Sequence, residues 1–192
     1  MTTALLDRRA LLLGTLAALA LPAAAAALPG DSIYQLDASL VDQRGQRFTL
    51  ASRRGEPTLV SMFYSSCQMV CPMIIETIQA TLRALPPEEA AGVRVLLVSF
   101  DPARDTVPVL AQTAQARGCD ARWTLARAEE PTARAIAAVL GIQYRRLASG
   151  EFNHSSVIEL LDRDGRIAAK TAQLGAVDAT FVKAIRHARE AA

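Results

Sequence analysis

The sequence predicts one α/β domain built on a mixed β-sheet flanked by helices. The chain has 192 residues, 51% of them hydrophobic, which suits a single domain with a sizeable core. Apolar runs with strand character alternate with segments of helical periodicity, as in α/β proteins. Near the C-terminus two strands are separated only by a tight turn, so they form a hairpin and make the sheet mixed.

The predicted domain begins with a β-hairpin and a βα unit. Residues 34–40 and 47–50 flank the turn-forming sequence Asp-Gln-Arg-Gly at 42–45, which predicts an N-terminal hairpin. Residues 57–64 form a continuous apolar run that predicts a buried strand. Residues 72–85 carry apolar side chains at helical spacing, so a helix follows this strand.

The middle of the chain continues the alternation. Residues 93–100 predict a second buried strand, and residues 106–117 predict a helix that a glycine ends. A short strand at 123–125 precedes a helix at 131–140, which also ends at a glycine. Residues 142–147 are expected to form a further strand.

The predicted chain ends with a second hairpin and a helix. Strands at 156–161 and 166–171 flank an Asp-Arg-Asp-Gly turn, and residues 177–191 predict a terminal helix. The order hairpin, βαβα, α, hairpin, α is the thioredoxin arrangement with an N-terminal β-hairpin extension and inserted elements. The fold class we expect is therefore a thioredoxin-like mixed sheet flanked by helices.

Residues 1–28 have the pattern of an export signal. Arg8 and Arg9 precede an apolar stretch at 10–21, and small residues follow at 23–27. We expect cleavage, although an uncleaved membrane anchor stays open, as does the choice between general and twin-arginine export. The second predicted domain is then 29–192, located in the periplasm, where cysteines oxidise unless they are kept reduced or bind metal.

Charge and composition exclude several classes of function. The formal net charge is only +2, from 21 Lys and Arg against 19 Asp and Glu, without the basic excess of a nucleic-acid-binding protein. We expect a monomer.

With only two histidines and three cysteines, a metal site would depend on sulfur. Cys119 has no motif around it and is expected to be a free thiol, and His187 is expected to face solvent.

Cys67 and Cys71 follow the first buried strand at the point where the next helix begins. This edge of an open α/β sheet is where its chemistry is usually placed, and a helix N-terminus favours the thiolate. Pro72 suits the first helical turn, and the i, i+4 spacing puts both sulfurs on one side. The pair could close a disulfide or bind a metal, or the cysteines could simply be small buried apolar residues.

Three segments of the sequence resemble the Sco (SenC/PrrC-like) family of thioredoxin-fold copper chaperones. The segments are the C-x-x-x-C-P stretch ending at Pro72, the D-P-x-x-D-T stretch at 101–106, and the histidine and hairpin segment at 153–165. The resemblance implies that Cys67, Cys71 and His154 bind one copper ion.

The residues between the cysteines depart from the family pattern. Many members have Pro and Asp there, whereas this chain has Gln68, Met69 and Val70, which affects partner recognition more than metal binding. Met69 is a candidate soft ligand or partner contact. Two thiolates and one imidazole suit Cu(I), and zinc with a water ligand stays open as the rival metal.

Residues around the proposed ligands have expected supporting roles. His154 is expected in a loop just before a strand, at the edge where thiol oxidoreductases of this fold carry a cis-proline. This chain has no proline after Pro131, which argues against a general disulfide exchanger. Asp101 is expected to orient the site without binding the metal. Asp105 or Thr106 is expected to cap the following helix, and for Asp105 we favour such a structural role.

The resemblance implies a periplasmic copper chaperone that delivers copper to a respiratory copper enzyme, such as the copper A centre of cytochrome oxidase. Another periplasmic copper carrier is a second candidate partner, and the copper can be Cu(I), Cu(II) or both. The alternative function is a thiol–disulfide reductase that keeps the acceptor's cysteines reduced, which needs Cys67 and Cys71 but not His154. A peroxidase ranks last, because the P-x-x-x-T-x-x-C pattern is missing before Cys67.

Overall fold

We describe the protein from a computed structural model that covers residues 27–190. The predicted export signal at 1–28 therefore lies outside the described residues, apart from its last two positions. Within residues 27–190, no helix has the length and apolar character needed to cross a membrane.

A seven-stranded mixed sheet forms the centre of the domain. Its strands stand in the order β2-β1-β5-β4-β3-β8-β9, and β6 and β7 form a separate two-stranded sheet. β3, β4 and β5 run parallel, whereas the outer neighbours β1, β2, β8 and β9 pair antiparallel. The strands are β1 Ser39–Asp42, β2 Arg47–Thr49, β3 Thr58–Phe63, β4 Arg94–Ser99, β5 Trp123–Arg127, β6 Tyr144–Arg146, β7 Phe152–His154, β8 Ile158–Leu161 and β9 Ile167–Thr171.

Helices cover both faces of this sheet. All six residues of β3 are buried, and because successive side chains of a strand point to opposite faces, both faces must be covered there. The α-helices are α1 Val70–Arg83, α2 Pro87–Ala91, α3 Val107–Ala116, α4 Glu130–Val139 and α5 Ala179–Glu190. The predicted fold class, a thioredoxin-like mixed sheet flanked by helices with an N-terminal β-hairpin, is confirmed.

Two predicted strands need correction. The first strand of the N-terminal hairpin begins at Ser39. Tyr34 instead lies in a 3-10 turn, where its ring packs so closely on Gly165 that a Cβ there would sit 2.4 Å from the ring. The apolar residues at 33 and 34 therefore reflect burial in a turn rather than pairing in a sheet.

The segment 142–147 does contain a strand, but it does not join the main sheet. β6 pairs only with β7, in the register Tyr144↔His154 and Arg146↔Phe152. β7 is not among the predicted elements, and neither is the short helix α2. β7 has only three residues, with the polar Asn153 at its centre, and carries too little apolar pattern to be recognised.

Candidate metal centre

The turn between β3 and α1 holds the cysteine pair. Both thiols are buried, Cys67 with 8% of its surface exposed and Cys71 with 2%. The backbone N–H of Cys71 lies 3.4 Å from the Cys67 sulfur and donates a hydrogen bond to it. The predicted juxtaposition of the two sulfurs at a helix start is therefore present, and an amide at that helix start points at one of them.

Asp105 fixes the loop that leads to the cysteines. Its buried carboxylate accepts hydrogen bonds from the Ser65 N–H at 3.2 Å, from the Ser65 hydroxyl and from the Ser99 hydroxyl. Of the two expected cap residues, Thr106 is the N-cap residue of α3, so the capping role is wrong for Asp105. Burial raises the pKa of Asp105, although the bonds from Ser65 and Ser99 oppose this rise.

Asp101 lies one step further from the sulfurs. Its N–H donates a hydrogen bond to the Ser99 hydroxyl at 3.0 Å, and its buried carboxylate pairs with Arg104. Arg104 in turn donates to the Gly150 carbonyl oxygen at 2.7 Å. Asp101 thus reaches the loop between β6 and β7 through Arg104, and its side chain pairs with Arg104 rather than with the cysteines or His154.

His154 is the last residue of β7 rather than part of a loop, which corrects the expectation from sequence. Its ring lies 5.1 Å from that of Phe100 and 6.0 Å from that of Tyr64, measured between centroids. Nδ1 is 3.2 Å from the carbonyl oxygen of Ser155, which can only accept a hydrogen bond. The Ser156 hydroxyl lies 3.4 Å from the same nitrogen. In the tautomer whose Nδ1–H donates to Ser155, the lone pair of Nε2 is available to a metal.

The structure brings Cys67, Cys71 and His154 together. Ligand atoms of the three residues all lie within 4.8 Å of one another. Two metal–sulfur bonds of about 2.3 Å span at most about 4.6 Å, so one ion fits among these atoms with little movement. Two sulfurs and one imidazole nitrogen form a soft donor set that suits Cu(I), whereas zinc would take a fourth ligand.

The two thiols differ in how readily they ionise. Burial opposes ionisation of Cys67, but hydrogen bonds from the backbone N–H groups of Cys71 and Met69 outweigh it, so the pKa of Cys67 lies below its usual value. Burial raises the pKa of Cys71, and the neighbouring Cys67 sulfur raises it further. Cys67 is therefore the readier thiolate, and a metal would displace the proton of Cys71.

An aromatic cluster that was not predicted from the sequence surrounds His154. Phe100 stacks on Tyr144 with centroids 4.9 Å apart and meets Phe152 edge-on at 5.0 Å. Tyr64 packs on Phe152 at 5.1 Å. Because Tyr144 and His154 stand opposite each other in the β6–β7 pair, the rings hold this hairpin over the cysteine turn. The alternation of Phe152 and His154 was the only local signal for this arrangement.

Other candidate residues lie outside this group. Met69 is 72% exposed beside the cysteine pair, as a partner contact would be. Cys119 is a free, half-buried thiol, and burial raises its pKa to about 11. His187 is exposed on α5, as expected.

Comparison with known proteins places these features in a family. The family described as SCO1/SenC matches residues 28–189. One relative, the mitochondrial SCO2 homolog of Bos taurus, is 33% identical over 90 residues, which are 46% of this chain and 34% of that protein. A protein of Stutzerimonas stutzeri, named as copper-binding, is 32% identical over 75 residues, 39% of this chain and 36% of its own. The matches thus span about a third of these relatives.

Solved structures share the fold. The copper-bound ScoI of Arabidopsis thaliana has a TM-score of 0.70 at 20% identity, covering 78% of this chain and 96% of its own. The copper-bound ScoI of Bradyrhizobium japonicum has a TM-score of 0.66 at 24% identity, with coverages of 80% and 96%. Copper-bound yeast Sco1 has a TM-score of 0.68 at 18% identity, with coverages of 81% and 87%.

Proposed function

The chain belongs to the SCO1/SenC family, and from that premise we propose that it binds copper and takes part in assembling a respiratory copper enzyme. The observation that carries this proposal is the convergence of Cys67, Cys71 and His154, whose ligand atoms lie within 4.8 Å of one another. Copper is cargo in this proposal, because the ion is captured and handed on rather than used in a reaction.

The finer steps of the proposal concern place and recipient. The export pattern at residues 1–28 supports action in the periplasm, and the family supports delivery to the copper A centre of a cytochrome oxidase or a related enzyme. Met69, 72% exposed next to the cysteine pair, offers a soft contact to such a recipient or to a copper carrier that loads the chain.

Copper titration of the reduced and the oxidised protein tests the proposal. We expect the reduced protein to take up one Cu(I) per chain under anaerobic conditions. The protein with a Cys67–Cys71 disulfide should take up none at this site, because both sulfur ligands are then lost. Equal uptake by the two forms would contradict the thiolate ligands. Transfer to a metal-free copper A domain, followed by its visible absorption, tests delivery.

The Cys71 N–H donates to the Cys67 sulfur at 3.4 Å, and the two sulfurs lie within 4.8 Å of each other. This geometry favours thiol–disulfide reduction as a second candidate function, with attack by Cys67 on a partner disulfide followed by attack of Cys71 on the mixed disulfide. In that exchange Cys67 and Cys71 become oxidised to a disulfide and the partner's two cysteines become thiols. His154 takes no part, so His154→Ala separates the two functions.

A further inference from the structure

The hairpin that carries His154 is attached to the domain differently from every other strand in residues 27–190. β6 and β7 pair only with each other, so no backbone hydrogen-bond ladder joins them to the main sheet. Ring packing from Phe100 and Tyr64 covers one side of the hairpin. Apolar contact has no preferred direction, so the rings alone do not fix how far the hairpin slides across the sheet.

Two polar contacts fix the position of the hairpin across the sheet, and both lie at the loop between β6 and β7. The Tyr64 hydroxyl donates a hydrogen bond to the Glu151 carboxylate at 2.7 Å. The Arg104 guanidinium donates to the Gly150 carbonyl oxygen at 2.7 Å, while the buried Asp101 carboxylate holds Arg104. One contact starts from the end of β3 and the other from the loop after β4, so the hairpin is tied to two different strands.

We infer that Glu151 and Arg104 are positioning residues that hold His154 over the cysteine pair and so set how tightly the site keeps its copper. This inference rests on the proposed copper site. Tyr64 sits between the two halves of the site, since its hydroxyl donates to Glu151 at 2.7 Å and its carbonyl oxygen accepts a hydrogen bond from the Cys67 N–H at 3.3 Å. When the hydrogen bonds to Glu151 and Gly150 are made, the three ligands converge. When they are broken, the hairpin can carry His154 away and leave two sulfur ligands.

Breaking these two hydrogen bonds offers a route for copper release. A recipient protein that competes for Glu151 or for the Gly150 carbonyl would loosen the hairpin and lower the number of ligands from three to two. Glu151 is exposed at the surface, so a partner can reach it without unfolding the domain. The cysteine turn keeps its geometry, because Asp105 and the start of α1 hold it independently.

The test compares Glu151→Ala with two matched variants of the full protein. Glu151→Gln keeps an oxygen that can accept from Tyr64, and Glu76→Ala removes an exposed carboxylate on α1 that has no recorded contact with the hairpin. Cu(I) affinity is measured by competition with bathocuproine disulfonate, and the nitrogen ligand is followed by X-ray absorption. We expect Glu151→Ala to lower affinity roughly 10-fold, as lost support of a ligand does, with weaker nitrogen scattering. Glu151→Gln should retain most of the affinity, and Glu76→Ala all of it.

A double-mutant cycle with His154→Ala shows whether Glu151 acts through the histidine. If it does, Glu151→Ala should cause no further loss in a protein that already lacks His154. Arg104→Met should behave in the same way. Thermal melting of the metal-free variants checks that the domain is folded, and a folded Glu151→Ala protein with wild-type affinity would overturn the inference. Additive losses would overturn it as well, whereas a His154→Ala protein that binds copper like wild type would refute the three-ligand site itself.

Discussion

The two halves of the metal site are built in different ways. Cys67 and Cys71 follow a fully buried central strand and begin a 14-residue helix, so backbone hydrogen bonds on both sides define their positions. His154 stands on a two-stranded hairpin that shares no backbone pairing with the main sheet and packs on the domain through its side chains. The cysteine half is therefore rigid by construction, and the histidine half depends on a few tertiary contacts.

This difference indicates which part of the site provides copper affinity and which part allows a ligand to be exchanged. We expect the two buried sulfurs to provide most of the binding. The third ligand, on a separately held hairpin, can be added or removed without disturbing the cysteine turn. Under the proposed function, in which copper is captured and handed on, His154 is therefore the ligand we expect to leave.

The largest effect is expected from Cys71→Ser. A hydroxyl replaces one of two soft ligands, and Cu(I) binds such an oxygen poorly, so affinity should fall by well over the roughly 100-fold that loss of a supporting contact causes. Metal content after anaerobic loading measures this. Cys119→Ser is the matched control and should keep one copper per chain, because Cys119 lies outside the ligand group. A lost copper in Cys119→Ser would reveal a ligand on another part of the chain.

His154→Ala should have the next largest effect. Cu(I) affinity should fall by more than 10-fold, since a direct ligand is lost where even indirect support contributes 10- to 100-fold. The Cys67–Cys71 disulfide should still form and be reduced, because its geometry does not involve the histidine. Chelator competition and a redox titration measure the two properties, with His187→Ala as control. A folded variant that loses copper yet still supports assembly of the acceptor enzyme in cells would favour the reductase function.

Phe100→Leu should moderately lower both the stability of the domain and its affinity for Cu(I). Phe100 is buried, and its ring centroid lies 5.1 Å from that of His154 and 4.9 Å from that of Tyr144. A smaller side chain therefore loosens the hairpin. We expect about 1–2 kcal/mol lower stability and a Cu(I) affinity several-fold lower. Phe181→Leu on α5 removes an equally buried ring away from the site and should lower the melting temperature similarly without changing affinity. Equal copper binding by the two variants would show that ring packing does not position His154.

The smallest expected effect on copper is that of Glu159→Gln, which changes a strand of the main sheet outside the ligand group. Glu159 lies in β8 with 2% of its surface exposed, and burial raises its pKa to about 7, with Lys170 opposing the rise. The folded state thus binds its proton more tightly than the unfolded state. Stability should be greatest below about pH 4.5 and should fall as the pH rises through 7.

This loss should amount to on the order of 2 kcal/mol, because one pKa unit corresponds to about 1.4 kcal/mol and solvent near Lys170 screens part of the charge. Denaturant unfolding at several pH values measures it. Glu159→Gln should flatten the pH profile between 4.5 and 7 and leave copper affinity unchanged, whereas Glu76→Gln should alter neither. An unchanged slope in Glu159→Gln would mean that another group titrates in this window.

The same contrast explains what could be predicted from the sequence. The cysteine turn is encoded locally: an apolar run, two cysteines four apart and Pro72 at a helix start identify it without knowledge of the fold. The histidine half is not local. Glu151 and Tyr64 are 87 positions apart in the chain, and nothing in the spacing of either links them.

The errors follow from the same cause. Tyr34 looks like a strand residue because it is apolar, but Gly165, far along the chain, gives it a buried place in a turn. Asp105 precedes a helix and resembles a cap, but the Ser65 loop brought beside it by the sheet offers better donors. In both cases contacts with a distant part of the chain, and not the local sequence pattern, determine the role of the residue.

The attachment of residues 32–34 to the β8–β9 turn has a consequence for orientation. The Ile33 N–H donates to the Gly165 carbonyl at 3.0 Å, and β8 ends opposite Thr58, the first residue of β3. Cys67 follows the other end of β3, a six-residue strand of roughly 20 Å. The chain thus enters the domain at the end of the sheet opposite the ligands. A tether attached ahead of residue 29 would therefore leave the ligand end of the sheet uncovered.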